Sequence, residues 1–292
     1  MNQATVVPLA SRSDIRRPED GSSRGAFWFC ALAFLFAWPV IIAAAAFVHG
    51  WSPWKVPGGL QMLAALSPGM AALTLSLRRF GGDGLKSLLA SLVRWRVSPY
   101  LYAVALGLSV GLCLILYLTF RLATGVPDPL GSPVDLLMYF LLILPFSAVW
   151  EELGWRGYLL PRLLDRMKAV TAALLIGVIW GVWHLPMALA ATTNPQAGLA
   201  QFGALFFGCI ANSLLLTWLY LRSRGSVLLC VLFHNGVNAG AFYFFSGRPG
   251  SSAGPFWGLT IGLAIIAIPI TASLSKRQRH HQPGVATSNH LE

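Results

Sequence analysis

Four ionisable side chains of this 292-residue sequence stand inside apolar stretches: Glu151, Glu152, His184 and His234. Such a group costs a few kcal/mol or more in apolar surroundings, so by default it marks function. His234 and Asn238 are four residues apart and share one helix face, as do Glu152 and Arg156, a spacing at which Glu leading Arg can pair. Glu151 then points about 100° away and is left for another task. His184 follows Trp180 by four residues and precedes Pro186, which should disturb the helix just beyond it. Counting at about 1.5 Å per residue, these positions lie about 10–20 Å below one surface of a membrane. A carboxylate, two imidazoles and an amide on three helices suit acid–base chemistry, and intramembrane Glu and His also serve proton-coupled transport. The Glu152/Arg156 pair alone reads as structural, and Asn212 and Asn235 read as packing or hydrogen-bonding residues. Trp150, Trp155, Trp180 and Trp183 read as core filler or interface anchors.

The elements that must position these residues are membrane spans. The chain is 56% hydrophobic and only 11% charged, with a mean hydropathy of +0.65. That is less than half the charge of a soluble domain, which carries about 25%. A soluble enzyme, a disordered chain and a disulfide-stapled secreted domain are excluded. Apolar runs fall at about 26–48, 60–77, 99–120, 134–155, 170–191, 199–221, 226–245 and 255–274, each about the length that crosses a bilayer as a helix. The expectation is an all-α polytopic membrane protein, a bundle of about eight transmembrane helices over 26–275. Polar tails at 1–25 and 276–292 are expected to be disordered. The stretch 83–97 reads as an interfacial amphipathic helix, with Lys86, Arg94 and Arg96 on its polar side.

Net charge is +11, yet the basic residues sit in short clusters between apolar runs, which points to anionic lipid and not to nucleic acid. With both termini in the cytoplasm, only Lys55, Arg121 and Arg248 of the 21 Lys and Arg fall outside. A bias this large sets the expected orientation. Cys30, Cys113, Cys209 and Cys230 all lie in apolar segments and form no CxxC pair, so they read as small buried hydrophobes. Spaced glycines at 107/111, 177/181, 236/240 and 258/262 suit close helix packing.

Other intramembrane chemistries lack parts. No H-E-x-x-H helix is present, as a zinc peptidase of that type requires. GLSVG at 107–111 matches G-x-S-x-G but sits mid-helix, where no strand–turn–helix elbow exists. Asp83 lies in a loop, with no second intramembrane aspartate for a dyad.

Three motifs resemble the CAAX-protease and bacteriocin-processing (abortive-infection, Rce1-like) intramembrane endopeptidases. EELGWRGYLLPRL at 151–163 resembles the E-E-x-x-x-R signature, WGVWHLP at 180–186 the F-x-x-x-H motif with Trp180 in place of Phe, and FHNGVNA at 233–239 the H-x-x-x-N motif. Order, spacing and the eight-helix frame agree, and the family region would span about 100–250. The resemblance implies hydrolysis of a peptide bond in a membrane-associated or lipidated peptide or protein, entering from the membrane or cytoplasmic side. It makes Glu151 the base that activates water, His184 a holder of that water, His234 and Asn238 the oxyanion donors, and Glu152 and Arg156 supports. No cofactor is expected. Zinc at Glu151, His184 and His234 is the less favoured alternative, because the H-E-x-x-H helix is missing. The other class left open is a non-catalytic membrane protein, a proton-coupled transporter or a scaffold or immunity protein, using the same pocket. Against a transporter stands the lack of any sign of duplicated halves with broken helices. The expected location is a bacterial inner membrane.

Overall fold

The computed structural model describes residues 23–125, 131–245 and 253–279. Among them every regular element is helical, and eleven helices follow in chain order. They are α1 (Ser23–Val48), α2 (Gly58–Ala65), α3 (Ser67–Leu92), α4 (Pro99–Thr124), α5 (Pro133–Ile143), α6 (Ala148–Leu164), α7 (Ala169–Trp183), α8 (Leu185–Ala190), α9 (Pro195–Arg222), α10 (Val227–Phe245) and α11 (Ala253–Arg279). Six helical spans are long and apolar enough to cross a membrane. The count is eight when α2 with α3, and α5 with α6, are each taken as one bent span, with bends of 51° and 49°. The protein is therefore a polytopic all-α membrane protein. Both expected tails lie outside the described residues, except that 23–25 begin α1 and 276–279 end α11. Arg248 lies outside them too.

Burial sorts the helices into centre and rim. Across its apolar stretch α10 is 78% buried, whereas α1, α4 and α11 are each 28% buried and turn most of their surface to lipid. The second central element is α6, where nearly every residue from Glu151 to Leu163 is buried. Around this pair, α3 lies along α6, α4 and α5 lie along α10, and α9 packs between α7 and α11.

Small residues allow the closest approaches. A methyl group at Gly154 of α6 would stand 2.6 Å from Pro68 of α3, and one at Gly69 of α3 would stand 2.6 Å from the Trp150 ring. Three of the four spaced glycine pairs serve this purpose: 177/181 against α9, 236/240 and 258/262 against α4. The pair at 107/111 faces open space.

The expected amphipathic helix is shorter than its pattern. Gly81, at φ +60°, breaks the line of α3, and residues 82–92 form the segment beyond it. Helix ends at Leu92, and Ser98 before Pro99 is extended, as prolines impose. Arg94 and Arg96 thus lie beyond the helix. Arg94 donates to the Arg224 carbonyl, and Arg96 lies over the Trp95 ring at 5.3 Å.

Broken helices are present after all, though as bends within single spans and not as duplicated halves. Pro145 falls in the α5–α6 break, and Pro186 follows His184 at the junction of α7 and α8. A proline can supply no N–H to the helical ladder, so both breaks follow from sequence. A π-helical segment, Leu153–Leu159, lies just ahead of Pro161 within α6. Such segments recur at functional sites.

Candidate active site

Glu151 sits in the first turn of α6, just past the break, and is 4% exposed. Both its oxygens accept hydrogen bonds. Ser147 Oγ donates to Oε1 at 2.9 Å, and the Trp180 indole Nε1 donates to Oε2 at 2.7 Å. Ser147 Oγ also accepts from Asn238 Nδ2 at 3.3 Å. A hydrogen-bonded line therefore runs from α10 through the break to the carboxylate. The positive end of the α6 dipole lies beside Glu151 as well, which favours an anion there.

Glu152, fully buried, faces the other way. Its Oε1 accepts from Arg156 at 2.9 Å, as the four-residue spacing leads one to expect, and from His234 Nδ1 at 2.8 Å. An ionised carboxylate only accepts, so Nδ1 of His234 carries the hydrogen and Nε2 is left for another partner. The pair read from sequence as structural thus also orients an imidazole. The Arg156 guanidinium lies over the Trp180 ring at 4.9 Å.

His184 caps the end of α7, with Nδ1 2.9 Å from the Trp180 carbonyl. The carbonyl accepts, so here too Nδ1 is the donor and Nε2 is left with a lone pair. Trp180 edges against both imidazoles, at 5.8 Å from the His184 ring and 5.1 Å from that of His234. Asn235, also buried, donates to the Phe140 carbonyl at 2.8 Å and ties α5 to α10.

Every residue singled out by chemistry therefore lies in one connected region: Glu151, Glu152, Arg156, His184, His234 and Asn238. Two members were not legible as such. Ser147 carries no charge to stand out in an apolar run, and Trp180 looks like filler until its N–H is seen on Glu151. The signal for Ser147 was its place four residues ahead of Glu151, beside Pro145.

No group of three or more His, Cys, Asp or Glu side chains among the described residues is arranged to hold a metal ion. Glu151 turns its oxygens to Ser147 and Trp180, and His234 turns Nδ1 to Glu152.

Comparison with known proteins follows the same helices. Residues 133–240 match the family model described as type II CAAX prenyl endopeptidase Rce1-like. Over 103 residues the chain is 34% identical to CAAX prenyl protease 2 of Methanococcus maripaludis, a match covering 34% of this chain and 37% of that protein. The chain thus spans little more than a third of the length of the curated relative it matches. The match runs from the start of α5 through Gly240 of α10 and encloses every site residue described above. Residues 133–240, whose three motifs lie on helices that fold them together, are thus similar to the type II CAAX prenyl endopeptidase Rce1-like family.

Proposed function

We propose that the chain is an intramembrane endopeptidase that cleaves a membrane-associated or lipidated peptide by water activated at Glu151. The observation that carries this reading is a buried carboxylate held by two donors, beside an imidazole and an amide from one helix. Each carboxylate oxygen has a second lone pair, so Glu151 can accept a proton from water while Ser147 and Trp180 hold it. His184 Nε2 accepts the other hydrogen of that water.

Attack by the water oxygen on the peptide carbonyl sends one proton to Glu151 and makes a tetrahedral oxyanion. Its hydrogen bonds come from Nε2–H of His234 and the second amide hydrogen of Asn238. Each preorganised donor of this kind contributes a factor of about 10²–10³. For Nε2 to donate, His234 carries two protons. Glu152 balances that charge, and Glu151, Glu152, Arg156 and His234 then sum to zero. Collapse breaks the C–N bond as Glu151 returns its proton to the leaving nitrogen, giving a carboxylic acid, which keeps the second proton of the water, and an amine.

Glu151→Gln tests the reading. The amide keeps the shape but cannot take the proton, so turnover of a fluorogenic lipidated peptide should fall to background in a protein that purifies and melts as the wild type does. Normal cleavage by the folded variant overturns the proposal. His234→Ala should also abolish cleavage, by removing the oxyanion donor.

A further inference from the structure

Ser147 occupies the position before the first residue of α6, where a serine ordinarily turns its oxygen back to a free helix N–H. Here it makes no such cap. Its hydroxyl hydrogen goes to Glu151 at 2.9 Å, and its oxygen receives the Asn238 amide at 3.3 Å. A local role open to this side chain is left unused in favour of two contacts to the site. The main chain fixes it in that pose, since the Ser147 carbonyl accepts from both Trp150 and Glu151 N–H at 3.0 Å. On the opposite side of the carboxylate stands Trp180, 2% exposed, whose indole can only donate and whose one hydrogen is given to Oε2. Its ring is wedged against Arg156, His184 and His234. Neither oxygen of Glu151 can rotate away without losing a donor.

We propose that Ser147 and Trp180 are positioning residues for Glu151, and that Ser147 also registers Glu151 against Asn238 so that base and oxyanion donor keep one separation. This rests on the peptidase reading above. Ser147 acts through Glu151 and Asn238. Its effect is geometric, and displacing a reacting group by about 1 Å can lower a rate about 100-fold.

The experiment measures kcat and KM for a fluorogenic lipidated peptide, with thermal melting in the same detergent, for the wild type, Ser147→Ala, Ser147→Thr, Trp180→Phe and Glu151→Gln. Ser147→Ala should lower kcat about 10- to 100-fold with KM changed less than about twofold, the pattern of a lost transition-state interaction. Ser147→Thr keeps the hydroxyl at a half-buried position and should recover most of the loss. Trp180→Phe keeps the aromatic ring, removes the donor and should lower kcat in the same way. Wild-type kcat in Ser147→Ala, or a folded Ser147→Thr as slow as Ser147→Ala, overturns the assignment. Activity lost only in step with the melting transition makes the role structural and overturns it too. These failures are distinct from failure of the peptidase reading, which shows as a wild type that does not cleave or a Glu151→Gln that does.

Discussion

Glu152 is one position from the proposed base, and its replacement by Gln should expose a different kind of dependence. Both Glu152 and Arg156 are fully buried, with N and O 2.9 Å apart. Two unit charges at that distance attract by about 6 kcal/mol at an effective dielectric of 20, most of it offset by the cost of desolvating them. Removing one charge of a buried pair leaves the other uncompensated, at a cost of about 3–5 kcal/mol. The Trp180 face lies 4.9 Å from the guanidinium in either case. Glu152→Gln should therefore destabilise the fold by about 3–5 kcal/mol. Adding Arg156→Met removes the stranded charge, and the double variant should be more stable than Glu152→Gln alone. Turnover should not return with it, because His234 still faces an amide in place of a carboxylate. Unfolding of the wild type, both single variants and the double variant by titrated SDS in mild detergent gives the coupling. Additive losses, or a cost below about 0.5 kcal/mol for Glu152→Gln, refute this account of the buried pair.

Peptide cleavage should persist in strong chelators if Glu151 alone activates the water, as the proposed mechanism has it; inhibition reversed by added zinc would reverse the mechanism. With both termini cytoplasmic, cysteines placed at 55 and 195 should label from outside and cysteines at 94 and 224 from inside, and the opposite pattern at 195 overturns that orientation. Gly154→Ala puts a methyl 2.6 Å from Pro68 and should destabilise by about 1–3 kcal/mol, as overpacking does. Gly107→Ala meets nothing within 4 Å and should be neutral or stabilising by up to about 1 kcal/mol, since Ala favours helix. Equal melting shifts in those two variants would count against the α3–α6 contact.

The spans were legible because bilayer length and the cost of charge in lipid leave few ways to arrange such a sequence. The same cost made the ionisable residues visible, and the four-residue spacings paired Glu152 with Arg156 and His234 with Asn238 on shared faces. What spacing could not give was contact between helices. Glu152 reaches His234 across 82 positions of chain and Trp180 reaches Glu151 across 29. Neutral donors were hidden for the opposite reason to charges. Serine and tryptophan are cheap in a membrane, so their presence asks for no explanation until a carboxylate is found against them.

The helix breaks bring these two classes of residue together. A break within a membrane leaves backbone carbonyls that water cannot reach, and each needs an internal donor. At the α5–α6 break, Trp150 donates its indole hydrogen to the Pro145 carbonyl at 2.9 Å, and the Phe140 carbonyl, which accepts from Leu144 N–H, takes a second hydrogen bond from Asn235. The Ser147 hydroxyl makes no cap on the new helix and turns to Glu151 and Asn238 instead. At the α7–α8 break, His184 spends Nδ1 on the Trp180 carbonyl, which fixes Nε2 as the acceptor. The irregular backbone is thus what aims the polar groups: an unbroken α5–α6 span would leave Ser147 within a helix, with its hydroxyl donating to a carbonyl four residues back.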